Sequence, residues 1–229
     1  NLIIRNTTIG ELMVLVSFFE NNTDAIDKIM SHIKTQFPEI TSLLYVVNEK
    51  KNDTIFDQEI ITYYGKGHIV EKLDCLQYQI GPKTFFQTNS TQATELYKSA
   101  LKMAELKGDE IVYDLYSGSG TIACFVAGSV SKVIGLESIP EAIEDAKENA
   151  KTNDIDNASF YAGDIKDLLS DEFVKQNGKP HVIITDPPRA GMHKEVVEQI
   201  MKIHPEKVVY ISCNSATQAR DIALMSTHY

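Results

Sequence analysis

The chain lacks the features that mark several large protein classes. Its three cysteines, Cys75, Cys124 and Cys213, lie far apart, with no CxxC pair and no histidine-rich partner. That spacing argues against a disulfide framework, a zinc site or an iron–sulfur cluster in this chain, and it fits a reducing, cytoplasmic setting. Apolar runs such as Leu12 to Val16 and Leu43 to Val47 fall far short of the roughly 18 residues a membrane span needs. The opening residues do not read as a signal peptide. Basic charge is also scarce. Lys and Arg total 22 against 32 Asp and Glu, a formal net of −10, divided as −3 up to Thr84 and −7 beyond it. A chain so charged does not hold nucleic acid by a broad basic face, so any RNA contact is local. No internal repeat or biased linker interrupts the sequence. What remains is ordinary globular usage: 229 residues, 43% hydrophobic, 12 Gly and 7 Pro, enough for one large or two smaller units with a real core.

Residues 1 to about 80 read as short strands with one helix. LIIR is followed by ELMVLVSF after the Gly10 turn, an amphipathic stretch from Thr23 to Gln36, then SLLYVVN, EIITYYG and HIVEKL. From Gln87 the period changes. A helical segment over Thr91 to Leu106 leads into five apolar runs, IVYDLY, KVIGLE, ASFYAG, HVIITD and KVVYIS, separated by helical stretches. That alternation predicts an α/β doubly wound parallel sheet.

Four motifs carry chemistry. DLYSGSGT, Asp114 to Thr121, closes the first run and opens a helix. Gly118 and Gly120 permit a tight turn and close approach of a ligand to the helix N-terminus. Glu137 follows at the end of the next run, where a carboxylate can accept hydrogen bonds from ribose hydroxyls. The loop alone fits either a nicotinamide cofactor or S-adenosylmethionine, and it also fits a glycine turn with no ligand. TDPPRAG, Thr185 to Gly191, follows the fourth run. An acid-Pro-Pro turn there fixes the backbone at the crevice where open α/β sheets bind ligands, although it also suits a helix start. Dehydrogenases have no need of it, so the cofactor expected is S-adenosylmethionine. YISCNSATQARD, Tyr210 to Asp221, places Cys213 beside Asn214 and just before a helix N-terminus that favours a thiolate. Cys124 and Cys75 read instead as small buried hydrophobes. In GPKTFFQTN, Gly81 to Asn89, Phe85 and Phe86 fit a core or a stacking pocket equally. The amides of Gln87 and Asn89 suit a pocket that stacks a base and bonds its edge.

In this order FFQTN, DLYSGSGT, GLES, DPPRAG and SCNSATQARD resemble the RNA uridine-5-methyltransferases that act on ribosomal or transfer RNA, over nearly the whole chain. The resemblance implies a small α/β RNA-binding or accessory domain over 1–82. It implies a Rossmann-like S-adenosylmethionine-dependent methyltransferase domain over 83–229. Cofactor contacts are implied for Gln87, Tyr116, Gly118, Gly120, Thr121, Glu137, Asp164 and Asp186, and Phe85, Asn89 and Asn214 are implied to contact the substrate. The implied nucleophile is Cys213, with Asp186 and Arg189 organising the crevice. Ser117 and Ser215 stand where the family often has cysteine and proline. The family also has an oligonucleotide-binding barrel before the stretch matching Asn1, and two further strands and a general-base glutamate beyond the stretch matching Tyr229. If the base lies inside this chain instead, Glu195, Glu198 and Asp221 are the first candidates.

The implied chemistry begins with conjugate addition of Cys213 to carbon 6 of uracil, because carbon 5 alone is too weak a nucleophile for a methyl sulfonium. The expected partner is RNA, ribosomal ahead of transfer, with the protein a monomer away from membranes and without metal. An amino-group methyltransferase acting on adenine or guanine is one alternative, and it needs no cysteine. A non-catalytic RNA-binding or assembly factor is the other.

Overall fold

Burial on both faces of one sheet organises the first unit, Asn1–Ser90 of a computed structural model that describes residues 1–50 and 52–226. Strands β1 (Leu2–Asn6), β2 (Leu12–Phe18), β3 (Ser42–Val47) and β4 (Ile60–Gly65) form the sheet in that order. The β2–β3 pair is parallel and its neighbours are antiparallel. A parallel pair needs a crossover, and helix α1 (Thr23–Gln36) supplies it. Side chains alternate between faces along a strand. Met13 and Leu15 therefore pack with Leu44 and Val46 on one side, while Val14 and Leu43 meet Ile26 and Met30 of α1 on the other. Helix α1 starts where Asn22 accepts a hydrogen bond from the Ala25 N–H at 3.1 Å, satisfying one of the unpaired donors of its first turn.

The face away from α1 is closed by a hairpin of β5 (Ile69–Leu73) and β6 (Leu76–Ile80), through Ile69 and Ile80. Two details here depart from the sequence pattern. Strand β6 has no local signal, since the Asp74–Cys75 turn lacks the glycine or asparagine that marks a tight hairpin. Cys75, expected to be a buried hydrophobe, is exposed, because it sits in that two-residue turn rather than on a strand. The FFQTN segment belongs to this unit. Arg5 donates to the carbonyls of Gly81 (3.2 Å) and Thr84 (2.7 Å), Phe86 packs on Tyr78 with ring centroids 5.9 Å apart, and the two units divide at Ser90 and Thr91.

Helix α2 (Ser90–Ala104) begins on the last residue of the first unit, and the second unit continues from it as β7 (Ile111–Leu115), α3 (Thr121–Ala127), β8 (Lys132–Glu137), α4 (Pro140–Thr152) and β9 (Ala158–Ala162). After α5 (Ile165–Leu168) and α6 (Asp171–Asn177) come β10 (Val182–Thr185), α7 (Lys194–Ile203), β11 (Lys207–Tyr210) and α8 (Ser215–Met225). The five strands pair in parallel in the order β11-β10-β7-β8-β9. This is the doubly wound sheet expected. Tyr113, Leu115, Ile134, Leu136 and Ile183 form one core with α5, α7 and α8. Helices α3 and α4 pack against β7, β8 and β9.

Glu71 knits the first unit together. It is buried, and it accepts from the Thr8 N–H, the Thr8 hydroxyl, the Lys72 N–H and the Ser90 hydroxyl. Burial alone raises its carboxyl, but the hydrogen bonds, led by Ser90 and Thr8, outweigh that and hold it below its ordinary value of 4.5. A depressed acid contributes stability above its unfolded value and loses it as pH falls through the folded one. Glu71→Gln should therefore cost the first unit about 2 kcal/mol at neutral pH and much less near pH 3, read as amide hydrogen exchange in β1, β2, β5 and β6. Equal loss of protection at both pH values would refute a charge-dependent role.

Candidate active site

Strand β7 lies at the centre of its sheet, with β8 and β9 continuing to one side and β10 and β11 to the other. The crossovers therefore leave β7 and β10 in opposite directions, opening a crevice at their carboxyl ends, where ligands of such sheets bind. Backbone bonds beyond the strands bring three of the sequence motifs to that edge. Asp186 donates its N–H to Leu115 O at 3.4 Å, Ile211 to Thr185 O at 2.9 Å and Ser117 to Leu136 O at 3.1 Å.

The first loop turns on Tyr116, whose φ of +61° lies in the left-handed region that a bulky residue rarely adopts. Burial pushes the Tyr116 phenol up to about 12, opposed by a hydrogen bond with the His193 backbone. At Gly118 a Cβ would meet nothing within 4 Å, so the loop faces open space there; at Gly120 it would strike Ala146 Cβ at 2.9 Å, so this glycine serves helix packing. Asp114, fully buried, accepts the Ala123 N–H at 3.0 Å on Oδ2. Asp114 Oδ1 and Ser117 Oγ are buried without a hydrogen-bond partner among the described residues. Burial drives the Asp114 carboxyl well above its ordinary value, and Asp186 and Glu137 push the same way.

Glu137, at the end of β8, is held by its surroundings. Its Oε1 accepts from the Ser138 N–H, the Ser138 hydroxyl and the Ile139 N–H, and its Oε2 accepts the Gly118 N–H at 3.0 Å. Oε2 keeps a lone pair for a further donor. Thr121 begins α3, with its hydroxyl 3.3 Å from that of Tyr97. Asp164 caps α5 and pairs with Lys166 at 3.2 Å, on the exposed side.

After β10, burial raises the carboxyl of Asp186. Among the described residues that carboxylate accepts no hydrogen bond, and no partner holds the Arg189 guanidinium. After β11, Cys213 is exposed. Asn214 caps α8 by accepting the Ala216 N–H at 3.1 Å, and it donates its amide to Arg189 O at 3.2 Å. Cys213 and Arg189 thus sit on segments tied to each other. Cys124 differs from Cys213 as expected. It is buried in α3, and burial pushes its thiol up to about 12. Phe85, Gln87 and Asn89 lie between β6 and α2 in the first unit, with Phe85 exposed and Phe86 half-buried against the core. Among the described residues no group of three or more His, Cys, Asp or Glu side chains is arranged to hold a metal ion, and no helix is long and apolar enough to cross a membrane.

A doubly wound sheet with three motif loops at its carboxyl edge, preceded in sequence by a small α/β unit, defines the class as Rossmann-like α/β proteins. Residues 5–229 match the tRNA (Uracil-5-)-methyltransferase family model, and the chain belongs to that family. An uncharacterized RNA methyltransferase of Porphyromonas gingivalis is 54% identical over 98% of this chain and 48% of its own length. One of Bacteroides thetaiotaomicron is 53% identical over 100% of this chain and 51% of its own length. The crystal structure of Pyrococcus abyssi tRNA (uracil-54, C5)-methyltransferase in complex with S-adenosyl-L-homocysteine superposes with a TM-score of 0.80 at 32% identity, covering 97% of this chain and 52% of that one. The chain spans about half the length of the relatives it matches.

An acid whose folded pKa is raised binds its proton more tightly in the folded state, so stability falls as pH climbs from the unfolded value towards the folded one. For Asp114 that window opens near 3.8 and extends upward. Hydrogen exchange in β7 and α3 should show protection declining from pH 5 to pH 7.5, and Asp114→Asn should flatten the decline. An unchanged slope in the variant would remove Asp114 from the explanation.

Proposed function

We propose that the protein to which this chain belongs methylates carbon 5 of a uridine in RNA, with ribosomal RNA the first substrate to test, through a covalent adduct on Cys213. The observation that carries this reading is the exposed Cys213 at the carboxyl edge, immediately before the cap of a helix and on a segment hydrogen-bonded to Arg189. The residues of the edge fit S-adenosylmethionine. Open space lies over Gly118, two buried polar atoms nearby have no partner among the described residues, and Glu137 offers a fixed acceptor for ribose hydroxyls. When bound, that cofactor supplies an electrophilic methyl group on its sulfonium.

In this mechanism the Cys213 thiolate adds to carbon 6 of the uracil, forming a C–S bond and moving the 5,6 π pair through carbon 5 onto the carbonyl oxygen at carbon 4. The Arg189 guanidinium, without a partner among the described residues, is a group able to stabilise that oxyanion or an adjacent phosphate. Carbon 5, made nucleophilic by the addition of Cys213, would then take the methyl group the bound cofactor supplies, the methyl–sulfur bond breaking as the new C–C bond forms. A base removes the carbon 5 proton, and the electron pair re-forms the double bond as the Cys213 thiolate departs. Asp186 and Asn214 shape the crevice, and Tyr116, Thr121 and Asp164 complete the cofactor set.

Four measurements test the reading. RNA carrying 5-fluorouridine at the target should trap an adduct in the full-length protein, because fluorine does not leave as a proton does. Peptide mapping should place it on Cys213, and a link on Cys75 or Cys124 would overturn the assignment. Cys213→Ala should abolish methyl transfer, whereas an amino-group methyltransferase would keep it. Glu137→Ala should weaken S-adenosylhomocysteine binding by about 1.5–3 kcal/mol in calorimetry, and unchanged affinity in a folded variant would sink the ribose role. Mapping 5-methyluridine in ribosomal and transfer RNA from cells with and without the intact gene assigns the RNA.

A further inference from the structure

Asp221 is fully buried in the middle of α8, and every lone pair it offers is engaged. Its Oδ2 accepts the Met192 N–H at 2.8 Å and the Tyr210 hydroxyl at 2.7 Å, and its Oδ1 accepts Nε and Nη2 of Arg220 at 2.8 and 2.7 Å. Arg220 Nη2 reaches on to Ala190 O and Met192 O, both at 3.1 Å. Thr217 and Asn214 donate to Arg189 O at 3.3 and 3.2 Å. From Arg189 to Met192 the main chain is therefore held from α8. The approach is so close that a Cβ on Gly191 would lie 2.6 Å from Arg220 Nη2 and 2.8 Å from Asp221 Oδ2. The same helix carries Cys213 immediately before its cap. Tyr116 of the glycine loop meets the next residue along, His193.

We infer that Asp221, with Arg220 and Tyr210, is a positioning latch: it locks the peptide after the acid-Pro-Pro turn onto α8 and so fixes the main chain that carries Arg189 against the segment that carries Cys213 for the addition step. The inference rests on the reading that Cys213 adds to a uridine. None of the three residues of the latch needs to touch substrate. A displacement of about 1 Å in a reacting group can cost a hundredfold in rate while leaving ground-state contacts intact. The latch should therefore act on adduct formation and not on cofactor affinity.

The test uses the full-length protein and 5-fluorouridine RNA. Single-turnover adduct formation is followed beside S-adenosylhomocysteine and RNA affinities. Asp221→Asn should slow adduct formation about 10- to 100-fold, and Tyr210→Phe, which removes one donor, about 3- to 10-fold, with both affinities within about twofold of the wild type. Should Asp221→Asn fail to fold, Tyr210→Phe and Arg220→Lys carry the same comparison. Adduct rates within about twofold of wild type in a folded variant would overturn the latch. So would a loss of rate matched by an equal loss of cofactor affinity, which is the mark of a merely structural role. A wild-type protein that forms no adduct overturns the Cys213 reading and the latch with it, whereas a wild-type adduct with an unchanged Asp221→Asn rate overturns the latch alone.

Discussion

The parallel pairing of β7 with β10 is the constraint on which the rest of the second unit depends. The ladder matches Val182 with Val112 and runs on to Thr185 with Leu115. It continues past both strand ends through the Asp186 N–H to Leu115 O, and on the far side of β10 through the Ile211 N–H to Thr185 O. Each such bond contributes only about 1 kcal/mol net, but together they fix register, and register decides which residues emerge at the edge. The loops that carry Tyr116, Asp186 and Cys213 consequently leave the sheet as neighbours.

That edge gathers carboxylates, and the fold treats each one differently. Glu137 is met by backbone N–H groups, which keep a fixed acceptor in place. Asp114 has one such donor and full burial, so its proton is held well above the usual range. Asp186 is half-buried, and its carboxyl is raised without a hydrogen bond to settle it. With Asp114 held neutral, the carboxylates of Glu137 and Asp186 are the groups on this edge able to attract a cationic ligand, and the sulfonium of the proposed cofactor is one. The same carboxylates repel a polyanion, which gives Arg189 its place in the proposed chemistry. The chain's net charge of −10 is thus compatible with an RNA substrate held through local contacts.

Periodicity makes much of the architecture legible in the sequence. Helix α1 spans the expected Thr23–Gln36, and each of the five apolar runs after Gln87 contains its strand, because strands buried on both faces read as continuous hydrophobic stretches. The relations between elements are harder to read. FFQTN looks like the start of the second unit, yet Phe86 and Ser90 pack and bond with the first, through contacts to Tyr78 and Glu71 that lie far back in the chain. Gly118 and Gly120 look equivalent in DLYSGSGT, and only the packing of Ala146 and Phe160 shows that one faces open space and the other a helix. The left-handed turn at Tyr116 carries no compositional mark at all.

Asp221 illustrates the limit most clearly. As a letter in ARD it is an acid near a nucleophile, and so a candidate base. A base needs a free lone pair within reach of the proton it takes. The lone pairs of Asp221 are committed to Arg220, Tyr210 and the Met192 N–H, and the carboxylate has no exposure. Glu195 and Glu198, the other two candidates, are exposed on α7 and face His193 and Lys194. The burial that disqualifies Asp221 from moving a proton is what suits it to hold a loop, since a carboxylate with four donors has one low-energy position and transmits it to every group bonded there.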